Sequence, residues 1–250
     1  MRTVALVCFC LLYSSCTSSS LENILVDDVY ELLWKNNIGI AYDTYGSEFL
    51  REMESGTLQA EKYINFTLQD INYLVKVTEM LREMSERVTE PEDVRDFLNG
   101  RYQSYKTFAD SMIQQYFFKD QNLAIKETPA MEKYLSDYRT FMKDPLDFIV
   151  ALLPCTRLWV WLANKMSIPQ NSPYYTWKES NMYCHPEKYK PLLNKYLNTP
   201  DKVKRANDVF CTQMQNEYHF FTSSLVIDGF CTIIGNNEIK CYDKNVFINV

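Results

Sequence analysis

Apolar residues recur at helical spacing along most of this chain. Successive apolar positions lie three or four residues apart, which places them on one face of an α-helix. Prolines preceded by Thr or Asp mark several predicted helix starts. The pattern predicts helices over Leu21–Asn36, Leu58–Val88, Thr89–Lys119, two segments that open at Thr128-Pro129 and Asp144-Pro145, a short irregular one over Pro186–Leu197, and Thr199–Ser223. Asn36–Ser47, which contains Gly39 and Gly46, is predicted to be a loop.

The last part of the chain, Leu225–Val250, differs from the rest. Its β-branched residues flank Gly235-Asn236-Asn237, a pattern typical of a β-hairpin. No repeat, low-complexity run or interdomain linker is present. We therefore predict an all-α fold: one helical bundle over residues 20–224 and a small C-terminal β-hairpin extension over residues 225–250.

One apolar helix contains a proline directly before a cysteine. Within Pro145–Met166 stands the segment Ala151-Leu152-Leu153-Pro154-Cys155. Proline lacks an N–H, so the Val150 carbonyl loses its helical partner and we expect a kink there. A thiol at such a kink can face a cavity. Three charged residues argue against a membrane span: Asp147, Arg157 and Lys165.

The N-terminal residues have the pattern of a secretory leader. Arg2 supplies the positive charge, Thr3–Tyr13 the apolar core, and Ser14–Thr17 the small residues that a signal peptidase accepts. Cleavage is expected between Ser15 and Ser20, which gives a signal peptide over residues 1–19. The sequence thus predicts a secreted, extracellular protein.

The composition excludes several classes of partner. The 250 residues carry a formal net charge of −6, which argues against nucleic acid or an anionic membrane surface as a partner. The two histidines, His185 and His219, have no metal-site spacing, so we predict neither a metal nor another cofactor. Hydrophobic residues make up 46% of the chain, enough for a buried core.

The number of cysteines points to one free thiol. Eight are present, and three of them fall in the leader, so an odd number remains. Cys231 and Cys241 flank the predicted turn and make a natural pair, which leaves Cys184 with Cys211 as the second disulfide hypothesis. Cys155 is then the free thiol. On the count alone, a buried and inert Cys155 is an equally good interpretation.

Acids, aromatics and the thiol share helix faces. Three pairs have this spacing: Asp70 with Tyr73, Glu217 with Phe220, and Cys155 with Trp159. Together they suit a flat, nitrogen-rich heterocycle, because acids bond ring nitrogens, aromatic faces stack, and a thiolate attacks an electron-poor carbon. Taken singly, each pair is more often part of a core with a solvated edge.

Several segments, in order, resemble the TenA (thiaminase II) family. They are Ser55-Gly56-Thr57-Leu58 followed by Gln69-Asp70-x-x-Tyr73-Leu74, then Ala151–Cys155, Tyr174-x-x-Trp177, and Glu217-x-x-Phe220-Phe221. The resemblance covers Leu21–Ser223. It implies a haem-oxygenase-like helical bundle, a homo-oligomer, and a pocket for thiamine or its aminopyrimidine half.

The resemblance also implies residue roles. Cys155 adds to the pyrimidine ring and displaces the thiazole, Glu217 exchanges a proton with a ring nitrogen, and Asp70 holds a ring nitrogen and the exocyclic amine. The pocket wall is then formed by Tyr73, Trp159, Phe220, Tyr134 and Asn181.

The chain departs from the family pattern at two wall positions. Trp159 and Asn181 stand where the family has tyrosines, and Tyr183 is the nearest phenol to the second position. Tyr134 is matched to the tyrosine before the nucleophile helix. These changes keep the nucleophile and the acids but alter the wall that selects the substrate.

The sequence thus predicts a secreted thiaminase that cleaves thiamine at its methylene bridge and passes the pyrimidine to water or to an amine co-substrate. The alternative is a non-enzymatic carrier of a planar ligand on the same fold. A haem oxygenase is disfavoured because Leu21–Asn36 contains no histidine, and a cofactor-free ring oxidase because only two histidines are present. Asn65-Phe66-Thr67 is a glycosylation sequon, for which modified and unmodified states are equally weighted.

Overall fold

A computed structural model of the chain describes residues 28–116 and 125–223, and the backbone of two short strands at 230–234 and 238–242. The predicted leader and its cleavage site lie outside the described residues. Within them the protein forms nine α-helices: α1 Val29–Tyr45, α2 Glu48–Ser55, α3 Ala60–Arg87, α4 Glu92–Tyr116, α5 Pro129–Phe141, α6 Pro145–Lys165, α7 Tyr175–Asn181, α8 Lys190–Tyr196 and α9 Pro200–Ser223. A 3₁₀ turn, Pro186–Tyr189, precedes α8. The all-helical prediction for the main body is confirmed.

Two predicted helix starts are confirmed by their caps. The Thr128 hydroxyl accepts the Met131 N–H at 3.2 Å, directly before Pro129. The Asp144 carboxylate accepts the Leu146 N–H at 2.8 Å, directly before Pro145. Proline at the first helical position has no N–H to leave unsatisfied, and the capping side chain satisfies one that follows.

The predicted loop over Asn36–Ser47 is wrong. Helix α1 continues to Tyr45, because it buries a stripe at helical spacing that includes Leu33, Asn37, Ala41 and Thr44. Gly39 lies inside this helix, where an added Cβ would meet nothing within 4 Å. A helical glycine costs about 1 kcal/mol relative to alanine, a penalty that the buried stripe offsets.

Helices α6 and α9 form the centre of the bundle. α9 packs against α1, α5 and α6, while α3 pairs along its length with α4. By length and composition α6 is able to cross a membrane, but 72% of its most apolar 18-residue window is buried inside the protein. Its hydropathy is therefore that of a core helix.

The cysteine pairing differs from the prediction. Cys184 is exposed and carries a free thiol, whereas Cys211 is buried on α9 and disulfide-bonded. The predicted Cys184–Cys211 pair is therefore wrong. The prediction rested on the cysteine count, which contains no information on the distance between a surface turn and a core helix.

The C-terminal strands pair in antiparallel fashion. Phe230–Ile234 lies beside Glu238–Tyr242, and Cys231 stands opposite Cys241 in the register. The side chains of both strands and the residues that connect them lie outside the described part of the chain. The hairpin extension and the Cys231–Cys241 disulfide stay predictions.

Candidate functional site

Cys155 is half-buried on α6, directly after Pro154, and its thiol is free. Helix α6 continues through this proline to Lys165. The Tyr138 hydroxyl donates to the Ala151 carbonyl at 3.1 Å, one turn before the cysteine. An additional donor thus reaches the helix backbone in the turn that contains Pro154.

A cavity of about 280 Å³ opens at this cysteine. Helices α3, α4, α6 and α7 and the chain around the 3₁₀ turn form its wall. Four residues predicted for the site line it: Asp70, Cys155, Trp159 and Asn181. Side chains separated by more than a hundred positions in the sequence thus face one space of a size that suits a small ligand.

Four other predicted residues do not belong to this wall but are buried behind it: Tyr73, Tyr134, Glu217 and Phe220. Glu217 and Phe220 contact Trp159 from the core side, Tyr73 lies next to Cys155, and Tyr134 contacts Glu217. A layer of buried residues therefore lies behind the cavity wall, and it includes Glu217, one of the two predicted acids.

Glu217 links these two groups of residues. Its carboxylate accepts the Tyr134 hydroxyl at 2.5 Å and the Trp159 indole N–H at 2.9 Å, and it is hydrogen-bonded by the Cys155 thiol. Burial raises the pKa of Glu217 to about 7, although the three hydrogen bonds oppose the shift. A carboxyl that titrates near neutrality, bonded to a thiol, is able both to accept and to donate a proton at working pH.

The Cys155 thiol is surrounded by acids and phenols. Burial raises the pKa of Cys155 well above its ordinary value, and the nearby Glu217 and Asp70 carboxylates raise it further. Hydrogen bonds from Tyr73 and Tyr105 act in the opposite direction. The thiol is consequently protonated in the empty site, and a base must remove its proton before it can attack.

Asp70 faces the cavity without a protein partner. Its side chain belongs to a residue only 7% exposed, and no described residue gives it a hydrogen bond or an ion pair. Burial, followed by the charge of Glu217, raises the pKa of Asp70 to about 8. Buried polar groups are nearly always hydrogen-bonded, so this carboxyl is placed to bind a ligand.

Aromatic rings enclose the Trp159 side chain. Its ring lies 5.8 Å from that of Phe66 and 6.3 Å from that of Phe220, in both cases stacked, and 5.8 Å from that of Trp177. The indole therefore offers the cavity a fixed aromatic surface, while its N–H is used by Glu217. Trp159 fills the family's tyrosine position as a donor and not only as a stacking ring.

Asn181 is also on the wall, but its amide is partly occupied. Asn181 donates to the Trp177 carbonyl at 2.7 Å, within α7. Tyr183, the nearest phenol in the sequence, is 70% exposed and does not line the cavity. No phenol from α7 or the turn after it therefore replaces the family's tyrosine here.

Two further site residues were missed in the sequence. Tyr105 lines the cavity and hydrogen-bonds Cys155, and the Tyr138 hydroxyl lies 2.7 Å from that of Tyr73. Tyr138 stands four positions after Tyr134 and shares its helix face, a spacing that could have identified it. Tyr105 lies in a segment of mixed polarity. Its only sequence signal is the four-residue spacing from Arg101, which places the two on one helix face.

Side chains that bind metals do not cluster in the described part of the chain. Within residues 28–116 and 125–223, no group of three or more His, Cys, Asp or Glu side chains could hold a metal ion.

A family model, TENA/THI-4/PQQC, matches residues 40–226. The chain belongs to this family. The matched range spans α2 to α9 and includes every cavity residue described above.

Solved structures with the same fold support the assignment of architecture. A TenA homologue from P. horikoshii OT3 is 19% identical, with a TM-score of 0.65, over 79% of this chain and 98% of that one. A structure described as a putative TenA-like thiaminase from Sulfolobus solfataricus P2 is also 19% identical, with a TM-score of 0.60, over 78% and 94% of the two chains. At such identity the likeness concerns the fold alone.

A third structure carries a different description. It is a TenA family transcription regulator from Silicibacter sp. TM1040, 15% identical with a TM-score of 0.65, over 81% of this chain and 98% of that one. No curated protein sequence matches the chain.

Proposed function

We propose that this TenA family protein is a thiaminase that cleaves thiamine between its methylene bridge and its thiazolium nitrogen. The observation that carries the proposal is the Glu217 carboxylate, held by Tyr134 and Trp159 next to the Cys155 thiol, together with the Asp70 carboxyl that faces the cavity. A nucleophile, a base that can reach it and a ligand-facing acid are the three parts that covalent catalysis on an aminopyrimidine requires.

Substrate binding uses Asp70 and the aromatic wall. The aminopyrimidine lies against the Trp159 ring, and its exocyclic amine donates to the Asp70 carboxylate. A ligand amine that gains positive charge favours the ionised form of this acid, which offsets the pKa increase caused by burial. Asp70 therefore both orients the ring and stabilises charge that develops on it.

The first step is attack by sulfur. Glu217 accepts the Cys155 proton, and the thiolate adds to the ring carbon next to a ring nitrogen. The electron pair displaced from that carbon moves to the nitrogen, which takes the proton back from Glu217. The Tyr105 phenol lies next to the sulfur, lowers the pKa of Cys155 and so favours its charged form.

The second step releases the thiazole. The exocyclic amine donates its electron pair through the ring, the bond from the methylene carbon to the thiazolium nitrogen breaks, and neutral thiazole leaves with that pair. An exocyclic methylene remains on the ring. Water or an amine adds to this methylene, the ring nitrogen loses its proton, and the carbon–sulfur bond breaks to restore the thiolate, which is then protonated.

Glu217 is held for this work by two donors from other helices. Tyr134 on α5 and Trp159 on α6 each bond one carboxylate oxygen. Both oxygens are thereby fixed in direction, so the proton exchange with sulfur takes place without a search over side-chain rotamers. This support gives Trp159 a role that a stacking ring alone does not have.

The wider setting is part of the same proposal. We infer a secreted protein with a leader over residues 1–19, a catalytic domain over residues 20–224 and an extension over residues 225–250. We also expect a homo-oligomer, no cofactor, and water or an amine as acceptor. The rival proposal, a non-enzymatic carrier, shares the ligand but requires no chemistry from Cys155.

The test is incubation of the purified protein with thiamine, with and without pyridine, followed by mass spectrometry. Pyrimidine alcohol identifies water as the acceptor, and a pyrimidine–pyridine adduct identifies an amine. Binding of thiamine without any cleavage, in wild-type protein at neutral pH, would favour the carrier and contradict the enzyme.

A further inference from the structure

The cavity wall beyond Cys155 is basic. Arg101, His185 and Lys188 all line the same cavity as the nucleophile. Among the described residues that line it, Asp70 is the only acidic one, and burial keeps that acid largely protonated at neutral pH by raising its pKa to about 8. At neutral pH the side chains that line the cavity therefore carry more positive than negative charge.

Arg101 has no carboxylate partner among the described residues. Its guanidinium lies 5.9 Å from the centre of the Phe97 ring and 5.7 Å from that of Tyr189. Its hydrogen bond to the Ser104 hydroxyl is long, at 3.4 Å. Guanidinium groups present planar pairs of donors that match phosphate oxygens, and this one is half-buried on the wall of a ligand cavity.

Arg101 also has a buried polar neighbour, Tyr189, behind the cavity wall. The Tyr189 hydroxyl belongs to a fully buried residue and has no hydrogen-bond partner of normal geometry. Burial raises the pKa of Tyr189, and the side chains of Arg101 and Thr156 are near enough to oppose that increase. Arg101 and Thr156 both line the cavity, whereas the Tyr189 hydroxyl is buried behind the wall that they form.

Arg101 lies one helical turn from Tyr105, the α4 residue next to the Cys155 thiol. Arg101 and Tyr105 stand four residues apart on α4 and are therefore neighbours about 6 Å apart on one helix face. Tyr105 hydrogen-bonds the Cys155 thiol. In thiamine, the hydroxyethyl arm of the thiazole is at the opposite end from the pyrimidine that sulfur attacks.

We propose that Arg101 and Lys188 form a phosphate subsite and that the preferred substrate is the phosphate monoester of thiamine. This rests on the proposed thiaminase function. The cationic wall repels the thiazolium ring of free thiamine, whereas a phosphate on the hydroxyethyl arm reverses the sign of the interaction. His185 contributes less, because its ring bonds Glu187 at 2.8 Å.

The test is equilibrium binding of thiamine and of thiamine monophosphate to the Cys155→Ser protein, in which turnover is prevented. We expect the monophosphate to bind about tenfold or more tightly, and the ratio of the two dissociation constants to approach one in the added Arg101→Gln variant. Arg95→Gln is the matched control, since Arg95 lies on the same helix and pairs with Glu92 and Asp96 away from the cavity.

Equal affinity of the Cys155→Ser protein for the two compounds would overturn the proposed subsite. An equal loss of affinity for both compounds in the added Arg101→Gln variant would overturn it as well. Turnover by the wild-type protein separates this result from the parent proposal. If the monophosphate binds preferentially but neither compound is cleaved, the subsite stands and the thiaminase function fails. If thiamine is cleaved without any preference for the ester, the function stands and the subsite fails.

Discussion

The Trp159 indole donates its N–H to the Glu217 carboxylate at 2.9 Å, across the contact between α6 and α9. This pair connects the cavity wall with the buried acid next to the Cys155 thiol. Replacement of the family's tyrosine by tryptophan thus keeps a hydrogen-bond donor and adds a larger ring.

Trp159→Phe removes that donor and keeps an aromatic ring. The lost hydrogen bond stabilised the charged carboxylate, so we expect the pKa of Glu217 to rise further and the acid limb of the kcat/KM profile to move to higher pH. Trp159→Tyr, which retains a donor, serves as the comparison variant. An unchanged acid limb in Trp159→Phe would show that the hydrogen bond from Trp159 to Glu217 does not affect catalysis.

Glu217→Gln should lower kcat by roughly 10²–10⁴-fold, because an amide cannot exchange the proton between sulfur and ring nitrogen. Steady-state kinetics on thiamine measure it. Asp208→Asn is the matched control, since this acid is exposed on the same helix and pairs with Lys204. A wild-type kcat in Glu217→Gln would remove the residue from the mechanism.

Asp70→Asn should act mainly on binding. An amide N–H₂ that faces the substrate amine replaces an acceptor with a donor, so KM should increase about tenfold or more. The control is Glu61→Gln, an exposed acid on the same helix. A fall in kcat with KM unchanged would instead indicate that Asp70 acts on the reacting atoms and does not hold the ring.

The two buried acids also predict how stability depends on pH. Burial raises the pKa of Asp70 to about 8 and that of Glu217 to about 7, so the folded protein holds protons that the unfolded chain has released. The free energy of unfolding should therefore fall as pH increases from about 5 to 8, by up to about 1.4 kcal/mol per pH unit for each acid. Asp70→Asn should flatten this slope in chemical denaturation. An identical slope in the variant and the wild type would contradict the assigned shift.

Tyr105→Phe tests the surroundings of the thiol. The phenol lowers the pKa of Cys155 against the larger effect of burial, so its removal should slow alkylation of Cys155 at neutral pH. Tyr102→Phe, on the same helix, is the control. Alkylation is followed residue by residue by peptide mass spectrometry, because Cys184 also has a free thiol. Equal rates in the two variants would show that Tyr105 does not act on sulfur.

Local signals in the sequence predicted most helices and their starts. Thr128 and Asp144 satisfy N–H groups within three residues of themselves, so the neighbouring residues suffice to find them. The loop prediction over Asn36–Ser47 failed because Gly39 and Gly46 were given more weight than the buried stripe of α1. The cysteine pairing failed because a count contains no distances.

The site was predictable only in part, for a physical reason. Cys155, Asp70 and Glu217 belong to motifs that a family resemblance carries over position by position. The bond from Tyr134 to Glu217 joins residues 83 positions apart, and its formation depends on how α5 packs against α9. Helical periodicity predicts on which face of its helix a residue lies, but it does not predict which other helix packs against that face.

The central claim is a covalent bond between Cys155 and the pyrimidine. The most direct measurement is intact and peptide mass spectrometry of the protein quenched with acid during turnover of thiamine, with Cys155→Ser in parallel. We predict an adduct of the pyrimidine on the Cys155 peptide in the wild-type protein, and neither adduct nor cleavage in the variant. Thiamine cleavage at the wild-type rate by a correctly folded Cys155→Ser protein would contradict the account.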